Sequence, residues 1–300
     1  MFCVAAMAFL EQDLNVRLVD HFDLIVGTST GGIIALGLGL GMSPEEIVEF
    51  YLEDGAQIFK HAALKTTRQL VRPKYNSLTL RHALNKLFES KVLEDSKKRL
   101  CIPSYDLTRD KVHLFRTPHL DRLNRDGRTP VVDVALATTA APTYFAAHAM
   151  DGLRLIDGGV WANTPVPTAI NEAVNGFGVN FCDLRILSFG TTSTVCDRPK
   201  RLDRGGLGVW SFQVTDVLLR AQAEAAVNTL RLLLPPENWH RLDTVVPTGL
   251  GRLDRVQPKD FIGHAAGVSR EQSPEIEKKF LDHLAPVYTP FKKPTRSANS

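Results

Sequence analysis

Residues 22–32 constrain the fold of this chain more than any other stretch. The branched apolar run Leu24–Val26 is typical of a buried strand in a parallel sheet, and the apolar segment Ile33–Leu40 is typical of a helix. Between them, Gly27-x-Ser29-x-Gly31 places a serine on a tight turn. Glycines two residues either side of the serine are predicted to let strand and helix approach closely. The stretch therefore predicts a strand–turn–helix unit with Ser29 at its apex.

A serine in this position is predicted to be a nucleophile. The sharp turn strains its backbone and presents its hydroxyl at the carboxyl end of the strand. Backbone amides at the start of the helix, that of Thr30 among them, would stabilise negative charge on a substrate oxygen. The alternative is a Gly-rich turn that cradles a phosphate group. No lysine follows the glycines as a P-loop requires, and no G-x-G-x-x-G run with a ribose-binding acidic residue is present.

The composition places the chain among ordinary globular proteins, since 44% of the 300 residues are hydrophobic and 23% are charged. The net charge of +3 comes without a dense basic stripe, which argues against a nucleic acid polymer as partner. A mildly basic surface is compatible with an anionic membrane. No apolar run reaches the roughly 18 residues of a membrane span, and Met1–Leu10 lacks the basic region of a signal peptide. We therefore expect a cytoplasmic protein, with peripheral membrane association as a further possibility.

The cysteines argue against a metal site and against disulfides. The four are Cys3, Cys101, Cys182 and Cys196, and they show neither a C-x-x-C pair nor a histidine at zinc-binding spacing. We therefore expect free thiols in a reducing compartment, and no metal ion or other cofactor.

Strand and helix patterns alternate along the rest of the chain. Strands are predicted at 100–106, 111–115, 153–156 and 184–189, and helices at 1–10, 43–51, 57–64, 78–88, 131–141, 165–174, 210–234 and from 273 onward. This alternation predicts an α/β fold with a mostly parallel sheet covered on both faces.

A serine hydroxyl needs a base within hydrogen-bonding reach, and two kinds of base compete. A triad would use a histidine late in the chain, for which the candidates are His240, His264 and His283. A dyad would use a carboxylate directly. Asp157 fits that role, because it follows the apolar run Leu155-Ile156 and precedes two glycines. Asp-Gly is also among the commonest turn dipeptides, so the pair alone is a weak signal.

The serine and aspartate motifs together resemble those of the patatin-like phospholipase family. The likeness rests on Gly27-Thr-Ser-Thr-Gly-Gly32, the Ala-rich stretch 135–145 and Asp157-Gly-Gly-Val-Trp-Ala-Asn-Thr-Pro165, and it runs from about Met1 to Gly190. It implies a three-layer α/β/α fold and a phospholipase A-type acyl hydrolase that cleaves glycerolipid esters without calcium. The implied substrate is a lipid or membrane surface. The site residues that the resemblance implies are the nucleophile Ser29, the base Asp157, the elbow and oxyanion residues Gly27, Thr30 and Gly31, and the turn residues Gly158 and Gly159.

Residues after Gly190 resemble the C-terminal parts of bacterial patatin-like proteins, some of which are antiviral effectors that cyclic nucleotides activate. A small-molecule activator is therefore expected, and the oligomeric state stays open. We expect residues 1–190 to form the catalytic core, 191–290 a helical extension of the same domain, and 291–300 a disordered tail.

The chain departs from the family pattern at its start. Family members carry a D-G-G-G-x-R-G loop, which supplies the oxyanion hole, before the helix that leads to the nucleophile strand. No such run occurs here, and the glycine-rich stretch Arg204–Gly208 lies far downstream. We therefore expect an N-terminally truncated member, without the first strand and the oxyanion loop. Either the start is misplaced, which is the favoured reading, or the chain is a catalytically impaired homologue with a binding or regulatory role.

Overall fold

The computed structural model describes residues 1–58, 73–191, 193–194, 199–210, 213–246 and 258–291. Its α-helices in the described residues are, in chain order, α1 (Phe2–Leu14), α2 (Thr30–Leu40), α3 (Pro44–Glu53), α4 (Gly55–Ile58), α5 (Ser77–Phe88), α6 (Val131–Thr138), α7 (Gly159–Ala162), α8 (Val166–Asn171), α9 (Leu207–Trp210), α10 (Val214–Leu233) and α11 (Pro258–Phe280). Its strands are β1 (Leu24–Val26), β2 (Arg99–Asp106), β3 (Lys111–Arg116), β4 (His148–Met150), β5 (Leu153–Asp157), β6 (Ile186–Phe189), β7 (Ser193–Thr194), β8 (Trp239–Leu242) and β9 (Val245–Val246).

The main sheet is built around β2, the longest strand. It has the order β1-β2-β5-β4, and β3 also pairs with β2. β1 runs parallel to β2, with Ile25 opposite Leu100. β5 runs antiparallel to β2, with Asp157 opposite Ser104. The ends of β1 and β5 that carry the serine turn and the aspartate turn therefore meet beside the middle of β2.

The α/β class is confirmed, but the expectation of a mostly parallel sheet is wrong. Three pairings in the main sheet are antiparallel, namely β2 with β3, β2 with β5, and β4 with β5. Two of them are hairpins between consecutive strands, which short turns at 107–110 and 151–152 permit. The parallel pairs β6–β8 and β7–β9 form separate two-stranded sheets.

β1 is also less buried than its sequence predicts. Leu24, Ile25 and Val26 are all half-buried. Within the described residues β1 pairs with β2 alone, so its other edge faces a cavity that β6 also lines. An apolar run predicts a strand covered on all sides, whereas this strand has a neighbour on one side.

Apolar packing against the sheet fixes the helices near the serine turn. A large core joins α2, α3, α5 and α6 to β2 and β5, with Leu36, Leu84, Ile102, Ala135 and Leu155 almost completely buried. A second cluster packs α1 against α11, and a third packs α8 against α10. The predicted start of α3 is confirmed, because Ser43 and Glu46 form a reciprocal capping box.

Several predicted boundaries differ from the structure. Of the predicted helix at 210–234, α10 covers Val214–Leu233 and Trp210 is the last residue of α9, while residues 211–212 lie outside the described residues. The last helix starts at Pro258, not at Ser273, and Pro274 lies inside it. The predicted helix at 57–64 lies mostly outside the described residues, as do Cys196 and the tail from residue 292. Cys3, Cys101 and Cys182 carry free thiols. No described helix is long and apolar enough to cross a bilayer.

Candidate active site

Ser29 occupies a strained turn between β1 and α2. Its backbone has φ 57° and ψ −128°, a region that non-glycine residues rarely adopt and that costs about 1–3 kcal/mol. The carbonyl of Ser29 accepts hydrogen bonds from the amides of Gly32 and Ile33. The side chain therefore stands at the positive end of an 11-residue helix, as the sequence predicts.

Gly27 and Gly31 contribute differently to the packing of the turn. A Cβ at Gly27 would overlap the carbonyl oxygen of Gly31, so only glycine lets the end of β1 lie against the first turn of α2. A Cβ at Gly31 would meet nothing within 4 Å. The prediction that both glycines are needed for the close approach of strand and helix is therefore right for Gly27 and wrong for Gly31. Gly31 takes part in the contact through its carbonyl, and a side chain at this position would not interfere.

The serine and the aspartate lie in direct hydrogen-bonding contact. Ser29 Oγ donates to Asp157 Oδ2 at 2.6 Å, although the two residues are 128 positions apart. The other carboxylate oxygen, Oδ1, accepts from the backbone amide of Gly159 at 2.7 Å. Both oxygens of Asp157 thus have a donor, and one of these donors is the predicted nucleophile.

Burial controls the acidity of Asp157. The residue is 4% exposed, and this desolvation raises the pKa of its carboxyl from 3.8 to about 6. The hydrogen bonds from Ser29 and Gly159 act in the opposite direction, because they favour the ionised form. The carboxylate is therefore ionised at neutral pH and is a stronger base than an ordinary aspartate.

The turn after Asp157 packs tightly against β2. A Cβ at Gly158 would overlap the carbonyl of Pro103, and one at Gly159 would lie 3.0 Å from Asp157 Oδ1. The indole of Trp161 in α7 donates to the carbonyl of Ser104 at 2.9 Å. The glycines of this turn thus allow the base to sit against the backbone of the central strand.

The first turn of α2 carries the candidate oxyanion donors. The amides of Thr30 and Gly31 precede Gly32, whose amide is the first to donate within the helix, so the helix itself leaves them free to bind an anion. The carbonyl of Thr30 accepts from the buried hydroxyl of Tyr51 in α3 at 3.1 Å. Of the side chains that the structure describes in the stretch Arg204–Gly208, none lines the cavity that contains Ser29.

Two of the three candidate histidines make hydrogen bonds elsewhere. His240 pairs with Gln272 at 2.8 Å and His283 with Asp23 at 2.9 Å. His264 lies exposed on α11. In the described part of the chain, none of them is hydrogen-bonded to Ser29, whose hydroxyl donates to a carboxylate instead.

Ser29 and Asp157 both line a cavity of about 2320 Å³. Its wall includes apolar side chains from several elements, namely Ile33 and Ile34 of α2, Phe145, Val166 of α8, and Leu219 and Ala223 of α10. Its volume exceeds the roughly 300–1,000 Å³ of most small-molecule pockets. Within the described ranges no group of three or more acidic, histidine or cysteine side chains is placed to hold a metal ion.

Comparison with known families identifies the chain. A model of the patatin-like phospholipase family matches residues 1–170, which include both the serine turn and the aspartate turn. The chain belongs to the patatin-like phospholipase family. The resemblance inferred from its two motifs is thereby confirmed.

Several curated relatives share this patatin-like sequence. A cGAMP-activated phospholipase of Escherichia coli is 36% identical over 207 residues, 64% of this chain and 58% of that protein. One of Vibrio cholerae is 32% identical over 279 residues, 82% of this chain and 79% of that protein. Patatin-like protein 2 of Arabidopsis thaliana is 31% identical over 61% of this chain. Among solved structures, VipD from Legionella pneumophila matches with a TM-score of 0.48 at 11% identity, covering 93% of this chain and 65% of that one.

Two residues beside the patatin-like dyad were not singled out by the sequence. Tyr51 lies about two turns into α3 and reads there as an apolar core position. Thr138, whose hydroxyl accepts from the amide of Ser29 at 3.0 Å, lies in the Ala-rich helix that the family likeness includes. Neither residue has a local pattern that distinguishes it, because each acts through a contact with a distant turn.

Substitution by alanine should affect labelling of Ser29 strongly at Gly27 and little at Gly31. Gly27→Ala should reduce labelling of Ser29 by a serine-reactive fluorophosphonate by at least about tenfold, because the new methyl group forces β1 and α2 apart. Gly31→Ala should leave labelling within about threefold of wild type, since alanine also favours the helix. Equal labelling of the two variants would contradict the assigned packing.

The buried carboxyl predicts a pH-dependent stability. Between about pH 4 and 6 the native carboxyl of Asp157 holds a proton that the unfolded one, with pKa 3.8, has released. Raising the pH across this interval therefore lowers the free energy of unfolding. At pH 8 it is lower by about 3 kcal/mol than at a pH where both the native and the unfolded carboxyl are protonated. Asp157→Asn should raise the free energy of urea unfolding at pH 8 by up to about that amount and give no gain at pH 4. Asp13→Asn, an exposed change on α1, is the control; the same gain at both pH values would contradict the linkage.

Proposed function

We propose that this chain is a serine hydrolase that cleaves acyl esters of glycerolipids, in the manner of a phospholipase A, through a covalent acyl-enzyme. Ser29 is the nucleophile and Asp157 the general base. The observation that carries the proposal is the 2.6 Å hydrogen bond from the Ser29 hydroxyl to the Asp157 carboxylate. Membership of a family of lipid hydrolases supports it.

Acylation transfers one proton through Asp157. Ser29 Oγ attacks the ester carbonyl carbon as its proton passes to Asp157 Oδ2, and the carbonyl oxygen becomes an oxyanion. The tetrahedral intermediate then collapses: the bond to the alcohol oxygen breaks, and the proton on Asp157 passes to that oxygen. A pKa of about 6 suits both steps, because the group is ionised at neutral pH yet readily protonated.

Deacylation repeats the same steps with water. Water attacks the acyl carbon while Asp157 takes one of its protons, and the tetrahedral intermediate collapses with release of the fatty acid. The proton returns to Ser29 Oγ. No net proton or electron is gained by the enzyme, so the dyad suffices as acid and base.

The start of α2 supplies the oxyanion donors that this chain offers. The amides of Thr30 and Gly31 lie next to Ser29, at the positive end of the helix. Each oxyanion donor is worth about 10²–10³ in turnover. The sequence contains no D-G-G-G-x-R-G loop, so the donors proposed here are those at the start of α2.

The apolar wall of the cavity supports a lipid as the substrate. Leu219 and Ala223 of α10 face the cavity that holds the dyad, together with Ile33 of α2. An acyl chain would remove these apolar side chains from water, a gain of about 0.8 kcal/mol for each buried methylene group. The lipid or membrane surface is thus the proposed partner, and the wall formed by α10 the proposed acyl-binding groove.

Mutation of the dyad tests the proposal. Ser29→Ala should abolish release of fatty acid from phosphatidylcholine vesicles and abolish fluorophosphonate labelling. Asp157→Asn should lower both rates by about 10²–10⁴-fold, because the base is lost while the nucleophile stays. His264→Gln, on the exposed face of α11, is the matched control and should leave both rates unchanged.

Two outcomes would overturn the proposal. Fatty acid release that survives Ser29→Ala would place the nucleophile elsewhere. A wild-type chain that neither hydrolyses lipid nor reacts with the fluorophosphonate would favour the alternative, a homologue that has kept the fold for a binding or regulatory role.

The relatives also suggest an activator. Three of them are named cGAMP-activated phospholipases, and one aligns with 82% of this chain. We therefore expect cGAMP to raise the rate of fatty acid release by at least about tenfold, which corresponds to lowering the activation free energy by about 1.4 kcal/mol. The check is a vesicle assay with and without cGAMP, with AMP as the control nucleotide. Equal rates with cGAMP and AMP would remove the activator from the proposal.

A further inference from the structure

We propose that residues 138–140 at the C-terminal end of α6, called the α6 turn, position the two residues of the dyad, and that Thr138 is the positioning residue which holds Ser29 toward Asp157. The catalytic role in this inference rests on the proposed function. The hydrogen bonds and packing contacts that support it are independent of that function. Thr138 touches neither substrate nor reacting atoms, so its role is to position the nucleophile.

The hydroxyl of Thr138 makes two hydrogen bonds inside the protein, where the residue is 0% exposed. It lies 2.6 Å from the carbonyl oxygen of Pro103 and 3.0 Å from the backbone nitrogen of Ser29. A carbonyl can only accept and an amide can only donate, so the hydroxyl proton must point to Pro103. A lone pair of the Thr138 oxygen is thereby left facing the amide of Ser29. Because Pro103 belongs to β2, this strand fixes the orientation of the hydroxyl that accepts from Ser29.

The same turn also holds the base. The amide of Asp157 donates to the carbonyl of Ala140 at 3.0 Å, just beyond the end of α6. The backbone amides of Ser29 and Asp157 therefore bind to points two residues apart on one turn. Because that turn is short and its flanking residues are buried, it sets the separation of the two residues more narrowly than β1 and β5 alone would.

Steric contacts limit how far this arrangement can relax. The Cγ2 methyl of Thr138 lies where a side chain on Gly32 would be, 2.7 Å from an ideal Cβ there. The carbonyl of Pro103, which accepts from Thr138, is the atom against which Gly158 packs. One side chain thus contacts the turn after Ser29 and, through Pro103, the turn after Asp157.

The strain at Ser29 explains why such a contact is needed. Its φ of 57° is unfavourable by about 1–3 kcal/mol, so the backbone relaxes unless other bonds hold it. Thr138→Val keeps the shape of the side chain but removes the acceptor, which leaves the amide of Ser29 without this partner. We expect the elbow to turn toward an ordinary conformation and the Ser29 hydroxyl to move away from Asp157.

The closing experiment reads the carboxyl of Asp157 directly, by NMR titration of the full chain with ¹³C-labelled aspartate. The pKa of this carboxyl is shifted by its burial and by the hydrogen bonds from the Ser29 hydroxyl and the Gly159 amide. No charged side chain of the described residues contributes to the shift. Weakening the bond from Ser29 removes a donor from the ionised form, so the midpoint should rise. In Thr138→Val we expect a rise of at least about half a pH unit, and in Thr138→Ser, which keeps the hydroxyl, a return to the wild-type value.

Thr117→Val is the matched control. Thr117 is also 0% exposed, and its hydroxyl accepts from the amide of Leu100 at 2.9 Å and contacts His119, away from the dyad. The variant loses the same kind of buried hydrogen bond and should destabilise the fold comparably, yet leave the Asp157 midpoint unchanged. Thr138→Ala serves if Thr138→Val does not fold, since it removes the hydroxyl without adding a methyl group.

A double-mutant cycle with Ser29→Ala decides whether the effect passes through Ser29. Ser29→Ala alone should raise the midpoint, and adding Thr138→Val should then raise it no further. Additive shifts, or an unchanged midpoint in Thr138→Val and Thr138→Ala, would overturn the inference. These titrations need no turnover, so they stand even if the wild-type chain hydrolyses nothing. Where it is active, kcat should fall about 10–10²-fold in Thr138→Val with KM within about twofold, and recover in Thr138→Ser.

Discussion

The hydrogen bond between Ser29 and Asp157 requires two turns from different parts of the chain to meet within 2.6 Å. The central strand β2 makes this possible. Its residue Ser104 pairs with Asp157 in the sheet, and the preceding carbonyl, that of Pro103, lies against Gly158 and accepts from Thr138. A carboxylate that is to act on a serine without a histidine between them needs this closeness, because it has no imidazole to span a longer gap.

The burial that raises the pKa of Asp157 also makes its ionised form costly to the fold. Desolvation moves its pKa from 3.8 to about 6, which means that the ionised form is disfavoured inside the protein. Two hydrogen bonds, from the Ser29 hydroxyl and the Gly159 amide, reduce this cost without removing it. Burial thus makes the carboxylate more basic at neutral pH at a cost in stability, an exchange that is common at functional sites.

Local sequence signals predict the parts of this site that depend on neighbouring residues. The strand–turn–helix around Ser29 and the turn after Asp157 follow from glycines beside apolar runs, and the two motifs together indicate the family. The sheet direction does not follow, because β5 returns antiparallel to β2 through pairing with a strand about 50 residues earlier. Thr138 and Tyr51 are also beyond sequence reasoning. Each reads locally as an ordinary helix residue, and its role exists only in the contact with a distant turn.

The position of β1 explains why side chains outside the sheet matter so much here. A nucleophile strand inside a parallel sheet is normally held by neighbours on both sides. In the described residues β1 has three residues and pairs with β2 alone, and its side chains are half-buried beside the cavity. Within the described residues, sheet hydrogen bonds therefore restrain this strand from one edge only. The remaining restraint comes from α2 packed against Gly27, from Tyr51 bonded to Thr30, and above all from the α6 turn, which binds the backbone amides of both residues of the dyad.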